Sequence, residues 1–349
     1  MQECQWLMKL HTYGLLRNSF RPPEQIRAVR RIWRLRDRLV SDAGRTIQQM
    51  QKALTVMNIQ LSNAISDISG VTGQAIIRAI VKGERDPWKL AQLRDPRIQA
   101  SEEEVAHSLE GHWREDVLFE LEQVLDCYDF CQKQIAECDQ KLQHYLEALP
   151  DRKLHMAVDA KAEEAWQKSP KKQRQNTKRK NQPKFELRSE LERILGVDVT
   201  RIDGLDVMTG QTILAELGPD LSAFPTEGDF ASWLELVPRR DITGGKVKKQ
   251  KPRKSKNRVA NALWMAAESL IRSDSYLGAR YRRLRGRMVG EAAVKAMAHH
   301  LACLLHRLLT KGQNYVDRGA AYFERRRSER ELVHLTRRAA EHGMKLVPA

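Results

Sequence analysis

The chain has no stretch near the roughly 20 consecutive apolar residues that a membrane-spanning helix needs. It is also poor in aromatic side chains, which make up 6% of its 349 residues. The first lack excludes a helical membrane anchor. The second, beside a charged content of 30%, suits a helical protein with a modest core better than an all-β one. Met1 to Leu16 carries polar residues throughout and lacks the layout of a secretory signal. The five cysteines (Cys4, Cys127, Cys131, Cys138 and Cys303) form no Cys-x-x-Cys pair and no even framework. They read as reduced thiols of a cytoplasmic protein. Acid is in short supply: 45 Asp and Glu stand against 61 Lys and Arg, a formal net charge of +16 and a pI near 9.7. Such an excess favours polyanionic partners: DNA, RNA or an acidic membrane surface.

What is present is mostly helical periodicity. Glu3 to His11 has a helical pattern with Trp6, Leu7 and Leu10 on one face. It opens without a cap, as though a preceding part were missing. Pro22 and Pro23 suit the first turn of a new helix. From Glu24 to Ile59 the apolar residues Ile32, Leu35, Leu39, Ile47, Met50, Leu54 and Met57 recur every three or four positions, predicting one long amphipathic helix or two. Leu121, Val124, Tyr128, Cys131, Ile135, Cys138, Leu142 and Tyr145 keep the same rhythm, a coiled-coil seam of about four heptads. Its expected partner is the Glu24–Ile59 helix or the same segment of a second subunit. Cysteines in that seam serve as small apolar residues.

Between Glu164 and Glu186 the cations Lys168, Lys171, Lys172, Arg174, Lys178, Arg179, Lys180 and Lys184 stand without any acid. Nothing there builds a core, so residues 166–185 read as a flexible linker. Its sign purity favours nucleic-acid contact, by Lys171, Lys172 and Arg179 among others, over a plain solvated spacer. On this reading 1–20 is the edge of a preceding domain, 21–165 a helical region and 186–349 a compact C-terminal domain. Two segments resemble each other: Asp67-Ile-Ser-Gly-Val-Thr-Gly73-Gln-Ala-Ile-Ile77 and Gly204-Leu-Asp-Val-Met-Thr-Gly210-Gln-Thr-Ile-Leu214. Each sets a turn before Thr-Gly-Gln and an apolar helix. That is the outline of a helix-hairpin-helix, whose turn (here with Gly204) aims backbone amides at a phosphate; an ordinary packing corner has the same outline.

The most informative stretch runs from Phe224 to Ala267. Phe230, Trp233, Leu234, Leu236 and Val237 predict an apolar helix ending at Pro238, followed by Arg239-Arg-Asp-Ile-Thr-Gly-Gly-Lys246. Lys246, Lys248, Lys249, Lys251, Arg253, Lys254, Lys256 and Arg258 then follow without an acid, and a helix resumes near Asn257. Gly244 and Gly245 let the backbone approach a phosphate. The cations hold it and stabilise developing charge. A hydroxyl there, that of Thr243, has the placement to attack phosphorus. The same residues equally make a phosphate-binding hairpin without catalysis.

Taken jointly, several motifs carry a resemblance. They are Gly204 to Gly218 with Phe224, Trp233-Leu-x-Leu-x-Pro238, Ile242-Thr-Gly-Gly-Lys246, the basic hairpin and Asn257-Arg-x-Ala260. This set resembles the C-terminal domain of the insertion-sequence one-ten family of DEDD transposases. Cys4-Gln-Trp-Leu-Met-Lys-Leu-His-Thr-Tyr-Gly14, Ser19-Phe-Arg-Pro-Pro23 and Gln51-Lys-Ala-Leu-Thr-Val-Met-Asn58 resemble the region after that family's nuclease-like domain, and Tyr281–Arg285 and Gly312–Asp317 its end. The resemblance implies a recombinase acting on DNA under a structured guide RNA. A RuvC-like domain supplies four metal-binding carboxylates for Mg²⁺, and a serine is the nucleophile. It places Thr243 at the serine, Glu3 at the last carboxylate, and Lys246, Lys248 and Lys249 on phosphate. Two departures follow: the RuvC-like sheet is absent, leaving Glu3 alone, and threonine adds a methyl that restricts χ1. Both point towards a truncated or decayed copy, or towards a wrongly called start codon; the alternative to an impaired enzyme is a catalytically silent binder that oligomerises through its coiled coil. The expected location is the bacterial cytoplasm, with the nucleoid.

Other groupings have blander readings. His299, His300, Cys303 and His306 share one predicted helix whose Val294, Met297, Leu301, Leu304, Leu305 and Leu308 mark a core face, so packing is favoured over zinc. Arg280, Arg282, Arg283, Arg285 and Arg287 read as phosphate contacts or a solvated face. Arg325, Arg326 and Arg327 read as surface ion pairs with Glu329 and Glu331. The fold class expected overall is mainly α: long helices, then a compact helical domain with a helix-hairpin-helix-like turn and a basic hairpin loop.

Overall fold

The structure, a computed structural model, describes residues 2–15, 20–152, 180–237, 239–244, 246–251, 255–312 and 319–345. It is mainly α, as expected, with one two-stranded hairpin among the described residues. The chain divides into two compact units, one of residues 31–142 and one of residues 1–30 with 143–349.

The 31–142 unit is built on two long helices, α2 (Glu24–Val56) and α7 (Glu115–Glu147), each of which extends past the unit's limits. Between them lie α3 (Leu61–Ala64), α4 (Val71–Val81), α5 (Pro87–Ala91) and α6 (Glu102–Ser108). The two long helices run antiparallel: Arg36 bonds Asp139 at one end, and the His112 amide donates to Met57 O at 2.8 Å near the other. Met50, Leu54 and Met57 of α2, Ile76, Ile77 and Ile80 of α4, and Leu121, Leu125, Tyr128 and Cys131 of α7 form one buried core. The seam read in the sequence is therefore covered within the chain over this stretch, by α4 as well as by α2. Arg78 of α4 adds a two-pronged bond to Asp129 of α7, at 2.6 and 2.5 Å. Burial raises the thiol pKa of Cys131 and Cys138, which keeps them protonated and inert. Arg36 and Asp139 are 2% and 6% exposed; removing one partner of such a pair costs about 3–5 kcal/mol, because the other charge stays buried.

Local signals set the element ends. Ser101 and Glu104 form a reciprocal capping box on α6. Asp86 caps α5, with Pro87 in its first turn. At the end of α2, Asn58 takes φ +59° and the Ile59 amide reaches back to Leu54 O at 2.9 Å, a left-handed stop of the Schellman type.

The other unit holds α1 (Gln2–Thr12), the start of α2, the end of α7, α8 (Leu187–Leu195), a 3-10 turn (Val199–Arg201), α9 (Val207–Leu217) and α10 (Glu227–Trp233). Strands β1 (Arg239–Thr243) and β2 (Lys246–Lys251) follow, then α11 (Arg258–Ser269), α12 (Tyr276–Arg285), α13 (Gly290–Lys311) and α14 (Gly319–Glu341). α13 is central, packing on α10, α11 and α12 through Met297, Leu301, Leu305 and Leu308, while α9 packs on α8 and α11. Arg30 donates to the carbonyls of Ala215 (3.2 Å) and Glu216 (2.5 Å), a cation at the negative end of α9.

One boundary differs from the expected one. The apolar helix after Phe224 stops at Trp233 and does not run to Pro238. Glu235 adopts φ +57°, the Leu236 amide bonds Ala231 O at 3.1 Å and the Glu235 amide bonds Ser232 O at 3.0 Å. This is a Schellman stop without its usual glycine; a glutamate in the left-handed position gives the sequence no stop signal. Leu234 and Leu236, taken from the pattern as helical, are buried from a turn instead.

Candidate nucleic-acid interface

Capped helices stand before and after the basic hairpin. Before it, Thr226 and Asp229 cap α10 reciprocally. Phe230 is fully buried beside Phe224 (ring centroids 5.4 Å apart), and Trp233 stands 5.2 Å from Phe224 and 5.5 Å from Phe20. After it, Asn257 caps α11 by accepting from the amides of Val259 (2.9 Å) and Ala260 (3.4 Å). The helices before and after the hairpin are thus each capped by a side chain.

Its register follows from a two-residue turn. Thr243 pairs with Lys246, Ile242 with Val247, Asp241 with Lys249, Arg240 with Gln250 and Arg239 with Lys251. The shift between Asp241 and Ile242 leaves Lys248 as the extra residue of a β-bulge, which bends and twists the strand locally. Gly244 is exposed, has φ +58° and has nothing within 4 Å of where a Cβ would stand, so the turn is open to a ligand. The positive φ is what tight hairpin turns demand. Thr243 thus ends its strand beside that turn, opposite a lysine. Lys256 and Arg258 are exposed at the start of α11, where cations oppose the helix dipole. Gly245, Arg253 and Lys254, like Lys171, Lys172 and Arg179 of the linker, lie outside the described residues.

The remaining sequence candidates separate. Gly204 has φ +86°, and a Cβ there would stand 2.7 Å from Ala266 O; this glycine lets the turn pack on α11. The N-terminus of α9 beyond it is capped by Asp206, which accepts from the Thr209 amide at 2.8 Å. A carboxylate already occupies the place a phosphate would take. Glu3 is exposed on α1. Among the described residues no group of three His, Cys, Asp or Glu stands ready to hold a metal ion.

Cys303 Sγ lies 3.8 Å from His299 Nδ1, and burial raises the thiol while lowering both His299 and His300, the latter to about 4. His306 Nε2 donates to Phe224 O at 2.8 Å. These are packed groups of α13. Arg327 pairs with Glu324 (2.9 Å) and lies 3.7 Å from Glu331. What sequence spacing missed is that α14 packs on α12, so two arginine runs some 40 positions apart face one cleft.

The hairpin lies within a segment for which a family model gives a match. Residues 198–282, from the 3-10 turn before α9 into α12 and including the whole hairpin, match the family described as Transposase IS116/IS110/IS902 family. The match covers 85 of the chain's 349 residues and says what this segment is similar to. No curated protein matches the chain. Among the described residues no helix is long and apolar enough to cross a membrane.

Proposed function

We propose that the chain is a transposase and that the hairpin is its strand-exchange element. It binds the phosphates of element-end DNA through Lys246, Lys248, Lys249 and Lys251, works with a structured guide RNA, and presents Thr243 as the nucleophile. The observation that carries the reading is the register: Thr243 ends β1 opposite Lys246 across an open glycine turn. In the step, Thr243 Oγ bonds to phosphorus as the bond from phosphorus to a deoxyribose oxygen breaks. The hydroxyl proton ends on that leaving oxygen, so no oxidant or outside energy is needed. Attack by a second strand's hydroxyl reverses the bond and joins new ends. Lys246 and its neighbours stabilise the charge that builds on the phosphoryl oxygens.

The test is incubation of the chain with element-end DNA and Mg²⁺, followed by mass spectrometry of the protein. The expected result is a DNA adduct on Thr243, absent in Thr243→Ala and increased about tenfold in Thr243→Ser, where the crowding methyl is gone. Binding without an adduct in either the natural chain or Thr243→Ser makes the protein a silent binder. Binding that is absent, or indifferent to salt, overturns the reading altogether.

A further inference from the structure

We infer a second nucleic-acid site, on the cleft between α12 and α14, fitted to a single strand with unpaired bases. Two adjoining hollows of about 410 and 370 Å³ share Arg283, Arg287 and Arg327 in their walls. Arg282, Arg326 and Arg330 complete the cationic lining, against Glu324 and Glu331. Arg327 pairs with Glu324 and neighbours Glu331. Arg282 donates to the carbonyls of Ile271 (3.2 Å) and Ser273 (2.6 Å). Arg283, Arg287, Arg326 and Arg330 form no ion pair with another described residue, and Arg287, Arg326 and Arg330 are exposed.

Three features of this lining point to a phosphate strand. First, cations gathered on facing helices repel one another, a cost that a partner of opposite charge reverses. Second, every cation lining it is arginine. Solubility is served equally by lysine, whereas the planar guanidinium fork matches phosphate oxygens two at a time. Third, aromatic rings stand at one end: Tyr276 meets Phe323 edge-on at 5.1 Å, with Tyr322 at 6.4 Å. Phe323, Arg326, Arg327, Arg330 and His334 recur at helical spacing along α14. At 1.5 Å per residue they span roughly 16 Å, room for a few phosphates of one strand. Half-buried rings beside such a track offer stacking to unpaired bases, which a duplex keeps inside. An acidic peptide would use the arginines and leave the rings idle.

The inference does not depend on hairpin catalysis, and the experiment keeps the two apart. The full chain is titrated by fluorescence anisotropy with a 20-nucleotide single-stranded RNA, the same sequence as single-stranded DNA, and the corresponding DNA duplex. In Arg283→Glu/Arg326→Glu/Arg330→Glu, single-strand affinity is expected to fall at least tenfold. The salt slope should flatten by about 2, near 0.7 per lost phosphate contact, while duplex affinity changes less than threefold. The same positions changed to Lys keep the slope and lose a few-fold. Lys246→Glu/Lys249→Glu in the hairpin has the opposite pattern, losing duplex and sparing single strands. RNA and single-stranded DNA answering alike means the site reads phosphate and base; RNA alone means the 2′-hydroxyl is read too.

Unchanged single-strand affinity in a variant of native circular dichroism overturns the proposal, as does an equal loss on duplex and single strand. Should the variant fail to fold, ultraviolet crosslinking of the natural chain to a 4-thiouridine oligonucleotide decides. Crosslinks at Tyr276, Tyr322 or Phe323 support the site, and crosslinks elsewhere alone refute it. Failure of the hairpin variant to affect duplex binding sinks the proposed function and leaves this site standing.

Discussion

Each unit carries a helix opened by Thr-Gly-Gln, and the two helices are started in different ways. In the 198–217 stretch Asp206 caps α9 with its own carboxylate. The residue aligned with it in the other unit is Ser69, whose amide and hydroxyl both donate to Asp67 Oδ1, at 2.9 and 2.6 Å. Ser69 is thereby spent on the turn, and α4 begins one residue later, from an N-cap at Gly70 with no side-chain bond. The glycines of the two motifs agree better. A Cβ on Gly73 would stand 2.2 Å from Ile68 O, and one on Gly210 would stand 2.9 Å from Val199 Cγ2 and 3.2 Å from Leu191 Cδ1. Both admit the preceding segment onto the first turns of the helix, one against backbone and the other against methyl groups. The comparison teaches that the repeated glycine serves packing in both units. The cap, and with it any room for an anion at the helix start, is set by each turn separately.

The sharpest way to break this comparison is Gly73→Ala against Gly210→Ala. Backbone cannot yield as a methyl can, so Gly73→Ala is expected to cost at least about 3 kcal/mol, and Gly210→Ala about 1–2 kcal/mol, after the small gain in helix propensity. Urea unfolding checks both; equal losses would mean that the two glycines meet the same kind of wall.

Acid separates the two units next. His300 on α13 is held down to about 4, first by burial and then by Arg280, Arg307 and His299, with Glu227 pulling the other way. A depressed value means that the folded state resists protonation. The stability this gives is complete above the unfolded value near 6.5 and drains as pH falls towards 4, by about 2–3 kcal/mol. Glu227, lowered chiefly by its bond to Arg307, loses its own share at the acid end of the same descent. Hydrogen exchange, corrected for intrinsic rates, is expected to show protection of α9 and α13 falling between pH 6.5 and 4 while α4 holds. His300→Gln should flatten the fall, and an unchanged fall in that variant would remove the histidine from the account.

The smallest contrast is at the caps. Asp206→Ala is expected to cost about 1 kcal/mol, largely restored by Asn. Ser69→Ala, which removes no helix cap, should cost a few tenths. Thermal unfolding of the two variants measures the difference, and comparable shifts would show that Ser69 caps after all.

The long helices and the hairpin were legible in the sequence because their signals are local. Apolar residues repeat every three or four positions on α2 and α7, glycines follow Thr243, and Asn257 opens α11. The stop at Trp233 was not legible, since a glutamate holds the left-handed position that glycine usually marks. The packing role of Gly204 was hidden for a different reason: the atom it makes room for, Ala266 O, is 62 positions away. The arginine cleft was missed on the same ground. Each run read alone is a solvated helix face, and the contact of α12 with α14 is what turns two faces into a lining.

The buried Arg36–Asp139 pair bears on how this chain can vary. With side chains 3% and 9% exposed, neither member can be lost without stranding the other, yet a pair of apolar residues of similar volume fills such a place at little or no cost. Single changes at 36 or 139 lie in a fitness valley that a double change crosses. Relatives should therefore carry the charged pair or a wholly apolar one, and a lineage that moves between them should show both positions turning over together.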